Sequence, residues 1–327
     1  MIPGPDVLPL PASRLVGRPP RALLLAGAGT AIAAFIPLLY LLVRASGAGV
    51  QRVVDVLANR RTLETVGTSV ALVIVVVGAC LIIGVPTGWL LARAHLPFRA
   101  LWVVGAALPL AVPSYVAAYA WLAQFPISGF WAAALILTLV SFPYVALPVT
   151  AALRSSDPAL EEVARTLGRG PLRSFTETTL PQAWPAAAAG ALLVALYVLS
   201  DFGAVALLRV DAFTRVIYTS YRASFDRVGA TVLALVLVSL ALLLVVAERR
   251  IRGRRHRWRV GVGTQRRAVA VNLRGLSMAL AVAWLALLTG LALGVPLVSL
   301  SLRMLQGSRT PLDVGELASA AVNSFGV

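Results

Sequence analysis

Apolar residues in this chain gather into long runs almost free of charge, separated by short stretches rich in arginine, glycine and proline. The runs lie near 22–43, 66–92, 100–123, 130–151, 184–208, 229–247 and 276–300, and an eighth opens near 317. Each approaches the ~20 residues that a helix needs to cross a hydrocarbon core. Their apolarity is continuous rather than alternating, which excludes barrel strands, the other structure that satisfies its backbone inside lipid. The expected fold is all-α, a polytopic bundle of transmembrane helices. Arg14, Arg18 and Arg21 precede the first run, as in a signal peptide. That run is longer than the roughly 7–15 residues of a signal-peptide core, so it reads as an uncleaved span.

Composition agrees. Hydrophobic residues make up 59% of the chain and charged residues 13%, against roughly a quarter charged in soluble domains. The net charge of +16 comes from 29 basic residues, every one an arginine. With the N-terminus in the cytoplasm, 19 arginines fall on inside segments (before 22, 93–99, 154–173 and 249–274) and 10 outside. This is the positive-inside asymmetry. The 249–274 stretch, with Arg254, Arg255, Arg257 and Arg259, then reads as a cytoplasmic linker touching anionic lipid. No aromatic stacking pattern accompanies it, so nucleic acid is not expected as a partner. Cys80 lies mid-span and reads as a packing residue, and His95 and His256 are too far apart to form a local metal pair. A chain without lysine cannot supply the P-loop amine that contacts nucleotide phosphates, so no ATPase activity of its own is expected.

The chain also echoes itself. Ile36–Gly47 matches Val295–Gly307, with Pro37 opposite Pro296 and Arg44 opposite Arg303, and Ser69 falls opposite Ser324. The expected organisation is a cytoplasmic tail (1–21), a first six-span unit (22–248), a basic linker (249–274) and the opening of a second unit (275–327). The run from Leu317 to Val327 reaches about 16 Å at ~1.5 Å per residue, half of a ~30 Å core. The chain as given is therefore expected to be incomplete.

Between the fourth and fifth runs lies Ser155–Pro185, SSDPALEEVARTLGRGPLRSFTETTLPQAWP. It reads as two short helices. Asp157 caps the first, Pro158 suits its first position, and Glu161 and Glu162 meet its positive end. Gly168 and Gly170 end it, Pro171 opens the next helix, and Pro181 is expected to stop that one.

This loop resembles the EAA loop of ABC importer permeases, the binding-protein-dependent, MetI-like superfamily. That pattern is Glu-Ala-Ala, three residues, Gly, nine residues, Ile-x-Leu-Pro. Glu162, Val163 and Ala164 take the first places, Gly168 the glycine, Thr178 the isoleucine, and Leu180 and Pro181 the end. Val163 and Thr178 depart from the pattern, while the spacing holds. Leu108–Leu122, Ser141–Leu153 and Leu199–Tyr218 are similar to the iron(III)-type permeases of that superfamily, often double-length chains. The resemblance runs from about Thr62 to Val327.

The resemblance implies a type I importer permease fold in the bacterial inner membrane. It further implies a pathway for ferric iron, or for sulfate, thiamine, polyamine or phosphonate. The 155–185 loop would dock ABC ATPase subunits, expected as a homodimer, and an extracytoplasmic solute-binding protein would deliver solute. ATP and Mg would be used by that partner, with no cofactor held by this chain.

Interior prolines break helix hydrogen bonds where a neighbour or a cavity compensates. Pro109, Pro113, Pro143 and Pro148 therefore suggest that the third to fifth spans line the path, with Tyr115 and Tyr144 beside it. Asp201 is the one ionisable side chain read inside a full span, about 24 Å from Pro185 at ~1.5 Å per residue. It would face an outer vestibule or pair with Arg209. Phe213, Ile217 and Tyr221 recur at helical spacing and suggest an interfacial helix outside. A single acid is thin support for an ion-coupled secondary transporter, the competing class, and no nucleophile–base spacing suggests a membrane enzyme.

Overall fold

In the computed structural model, residues 21–47, 49–155, 164, 166–223, 226–253, 271–306 and 314–325 are described. The N-terminal tail, Glu162 and Val163, and most of the basic linker lie outside these residues.

Among the described residues the regular structure consists of helices, apart from one isolated bridge. In order they are α1 (Arg21–Ser46), α2 (Val50–Ala58), α3 (Arg60–Arg93), α4 (Arg99–Ala107), α5 (Ser114–Gln124), α6 (Phe130–Ser141), α7 (Pro143–Arg154), α8 (Pro171–Ser174), α9 (Leu180–Ser200), α10 (Gly203–Leu207), α11 (Phe213–Arg222), α12 (Arg227–Gly253), α13 (Leu276–Thr289), α14 (Val295–Gln306) and α15 (Val314–Phe325). Among the described residues, six stretches are long and apolar enough to cross a membrane: Ala22–Ser46, Arg60–Arg93, Phe130–Arg154, Phe175–Ser200, Arg227–Arg250 and Leu276–Gln306.

Three expectations need correction. The run 100–123 is not one straight span, because Arg99–Ala111 and Ser114–Gln124 meet at 96°. Pro113 has no N–H to donate, and a residue before proline is pushed out of the α region. Val112 is accordingly extended, at φ −90° and ψ 114°, and the Pro113 carbonyl starts a new helix by accepting from Val116 and Ala117.

Pro143 and Pro148, by contrast, leave their span continuous. Pro143 occupies the first position of α7, where no donor is needed.

Nor does Pro181 stop a helix. It sits in the first turn of α9, after a π-turn over Phe175–Thr179 whose wider ring takes up the missing donor. That span therefore starts further in than 184 and ends at Asp201.

The core is built on α7, which packs against α3 on one side and α9 on the other. In lipid no hydrophobic force draws helices together, so close contact relies on small residues. Gly84 and Gly88 of α3 lie directly against Val145 and Val149 of α7, and Gly190 of α9 lies against the Tyr144 carbonyl. A second cluster joins Leu91, Ala94 and Leu96 to Ala106, Ala281 and Leu285, fixing α13 to the ends of α3 and α4. Trp284 Nε1 donates to Thr87 Oγ1 at 3.0 Å, and Val271 pairs with the backbone around Ala94. Further along, the Ser299 hydroxyl donates to the Ala120 carbonyl, and Arg303 stacks over Tyr119. The segment after the basic linker thus follows the broken span α4–α5 along its length.

Candidate functional site: a coupling turn and a buried polar junction

Two groups of singled-out residues sit at opposite ends of α9. From Leu180 to Asp201 the axial distance is about 30 Å at ~1.5 Å per residue, the thickness of a hydrocarbon core.

At the first end, Ala164 is helical and buried, 6% exposed. Gly168 follows at φ +75°, and the Arg169 N–H donates back to the Ala164 carbonyl at 3.2 Å. This is a helix end closed by a left-handed residue, where only glycine avoids a Cβ penalty. The spacing from Ala164 to Gly168 is thus the length of that closing turn. Leu167, beside it, is 72% exposed.

Beyond the turn, Glu177 pairs with both Arg169 and Arg173. Phe175 meets Trp89 of α3 edge-on, with ring centroids 6.1 Å apart, so the loop rests against the C-terminal end of α3. The Arg99 guanidinium donates to the Leu91 and Ala92 carbonyls and caps α3 there. The Arg173–Glu177 pair was legible as an i,i+4 match. The Arg169 and Trp89 contacts are tertiary and left no mark in the sequence.

At the other end of α9, Asp201 is 7% exposed. It does not pair with Arg209. Its Oδ1 accepts from the Ala204 and Val205 N–H groups at 3.0 and 3.4 Å, capping α10. Ser114, the first residue after the proline break, lies beside Asp201, Tyr197 and Gly203. Tyr197 lies against Tyr144, ring centroids 5.8 Å apart, and a Cβ on Gly203 would come within 2.6 Å of Tyr115 Cβ. The Thr214 hydroxyl donates to the Asp201 carbonyl at 2.6 Å.

Pro113, Tyr115, Pro143, Tyr144 and Asp201, picked from separate stretches of sequence, therefore converge on one junction. Ser114 and Tyr197 join them there. Neither carries a motif, and only the fold brings them in. Among the described residues no cluster of His, Cys, Asp and Glu could hold a metal ion.

Residues 84–257, more than half of the chain, match the family described as binding-protein-dependent transport system inner membrane component. The chain belongs to this family. The match takes in α7, the turn at Gly168, all of α9 and the polar junction's Asp201. Among relatives, the Fe(3+)-transport system permease FbpB 2 of Haemophilus influenzae is 35% identical over 202 residues, covering 62% of this chain and 40% of that protein. The sulfate transport system permease CysT of Salmonella typhimurium is 29% identical over 176 residues, covering 47% of this chain and 64% of that one. The molybdenum transport system permease ModB of Escherichia coli is 33% identical over 138 residues, covering 37% and 60%. The chain's match thus spans less than half the length of that ferric permease. A solved chain of the MetNI methionine ABC transporter, in an inward-facing conformation, superposes with a TM-score of 0.51 at 21% identity, covering 60% of this chain and 96% of that one. The chain shares that fold and is a multi-pass membrane protein.

Proposed function

We propose that this chain forms the translocation pathway of an ATP-driven importer and carries ferric iron. The observation that carries the solute is the 35% identity to a ferric permease over 202 residues, with sulfate permeases matching over comparable stretches at 26–29% identity and a molybdenum permease at 33% over 138 residues. A separate ATPase, acting as a pair of identical subunits with ATP and Mg, docks on the 155–185 loop. Glu162, Val163 and Ala164 lead into the turn at Gly168, and Leu180 and Pro181 open α9. The exposed Leu167 beside a turn of fixed geometry supports that role.

The path runs by the junction of Pro113, Tyr115, Pro143, Tyr144 and Asp201. The support is their convergence at the proline break. Asp201 holds the α9–α10 corner through its cap and lends the vestibule a negative charge. An extracytoplasmic binding protein delivers solute near α11, and the N-terminus is cytoplasmic, in keeping with the arginine asymmetry.

The test is uptake into proteoliposomes holding the permease, its ATPase and its binding protein. ATP-dependent accumulation of a ferric chelate, with none of sulfate or molybdate, is expected. Uptake of an oxyanion alone would replace the solute assignment. Uptake that persists without the ATPase, driven by an ion gradient, would sink the importer reading.

A further inference from the structure

A crevice of about 460 Å³ opens between α1, α11 and α12. This is within the ~300–1,000 Å³ range of small-ligand sites. Its walls are mostly apolar and aromatic, among them Tyr40 and Arg44 of α1, Phe202, and Ile217, Tyr218 and Tyr221 of α11. The last three lie on one face of an amphipathic helix, whose buried end is Phe213.

Its position is the boundary between span and water. α1 ends at Ser46, α12 begins at Arg227, and three tyrosines ring the opening, as amphipathic rings do at headgroup level. Arg44 is half-buried at the rim. Its guanidinium donates to the Tyr40 hydroxyl at 3.0 Å and lies over that ring, and it meets no carboxylate among the described residues. The nearby acids are taken: Asp211 pairs with Arg215, and Asp226 pairs with Arg52 and caps Gly229. Arg227 adds a second cation, stacked over Tyr221. An apolar slot with an uncompensated positive rim at headgroup level is complementary to an acyl chain bearing a phosphodiester.

We propose that this crevice is a binding site for one anionic phospholipid, its phosphate on Arg44 and an acyl chain between α1 and α11. Such a lipid would hold α1, otherwise exposed along its length, against the rest of the bundle. The proposal does not depend on which solute is carried or on the coupling loop.

The test is native mass spectrometry of the whole chain released from nanodiscs of phosphatidylglycerol and phosphatidylethanolamine. Wild type is expected to retain one phosphatidylglycerol. Arg44→Gln removes the phosphate partner, and Ala234→Trp fills the slot while leaving Arg44 in place. Each should lower that retention at least tenfold, with helical circular dichroism unchanged. Arg60→Gln, at an exposed arginine paired with Glu64, should retain it. Added inorganic phosphate should not displace the lipid, since the acyl chain supplies much of the contact. Retention unchanged in both Arg44→Gln and Ala234→Trp, or equal retention of phosphatidylethanolamine in wild type, would overturn the proposal.

Discussion

Gly190→Ala adds one methyl group where α9 lies against the backbone of α7, and its effect can be worked out from the contact. The new Cβ would stand 2.3 Å from the Tyr144 carbonyl oxygen, 2.8 Å from Val145 Cα and 3.0 Å from the Tyr144 carbonyl carbon. All three are backbone atoms of α7, so no side-chain rotation relieves the clash. Comfortable contacts lie near 3.5 Å or beyond, so α7 and α9 must part by about 1 Å. Overpacking of this kind costs about 1–3 kcal/mol, offset by the ~0.5–1 kcal/mol that alanine gains over glycine within a helix. The net loss is about 0–2.5 kcal/mol, centred near ~1 kcal/mol, or a few degrees at ~2–4 °C per kcal/mol.

Gly78→Ala is the control, because a Cβ there meets nothing within 4 Å and only the helix gain remains. The readout is built in. Cys80 is the one cysteine in the chain and is fully buried in the core, so a thiol-reactive fluorogenic dye reports opening of the core on heating. Gly190→Ala should label at a lower temperature than wild type and Gly78→Ala at the same or a higher one. If Gly190→Ala labels no earlier than Gly78→Ala, the α7–α9 contact does not hold the core as described.

Two further substitutions separate geometry from chemistry. Gly168→Val should leave membrane levels near wild type but abolish ATP-driven uptake, because a branched side chain at φ +75° distorts the turn, whereas Gly168→Asn, which tolerates that conformation, should retain uptake. Equal transport by both variants would show that the turn does not matter. Asp201→Ala should cost about 1 kcal/mol by uncapping Ala204 and Val205, while Asp201→Asn keeps the cap and the thermal midpoint; an equal loss of stability in both would mean that the charge, not the cap, holds the corner.

The spans were legible because hydropathy records what side chains want, and lipid leaves the backbone no alternative to helix. Phe130–Arg154 and Arg227–Arg250 follow directly from their apolar runs. The failures occur where the backbone decides. Val112-Pro113 is as apolar as its surroundings, so the run continues through a 96° break that a donor count would have marked. Thr176, Glu177 and Thr178 read as a short helix that Pro181 stops, yet a π-turn carries the helix on through Pro181.

Asp201 was picked out as an intramembrane charge and proves to be a cap at the end of its span. α2 was not expected although Val50, Val53, Val54 and Leu57 recur at helical spacing, because at 9 residues it is too short to cross a membrane. At the polar junction the prolines, Tyr144 and Asp201 carried signals of their own. Ser114 and Tyr197 did not, since neutral hydroxyls gain meaning only from what the fold sets beside them. Glu162 and Val163 lie outside the described residues, so their part in coupling stands on sequence spacing.

The central claim is that the turn beside Gly168 meets an ATPase, and a photo-crosslinker placed at Leu167 tests it most directly. Leu167 is exposed and adjoins the turn, so the probe should not disturb packing. In native membranes, irradiation should join the chain to a protein that carries a P-loop and hydrolyses ATP, identified by peptide mass spectrometry. The same probe at Tyr218, on the far side of the membrane, should not. Joining of that ATPase at Tyr218 but not at Leu167 would contradict the account, and so would its absence from both positions in membranes that transport the solute.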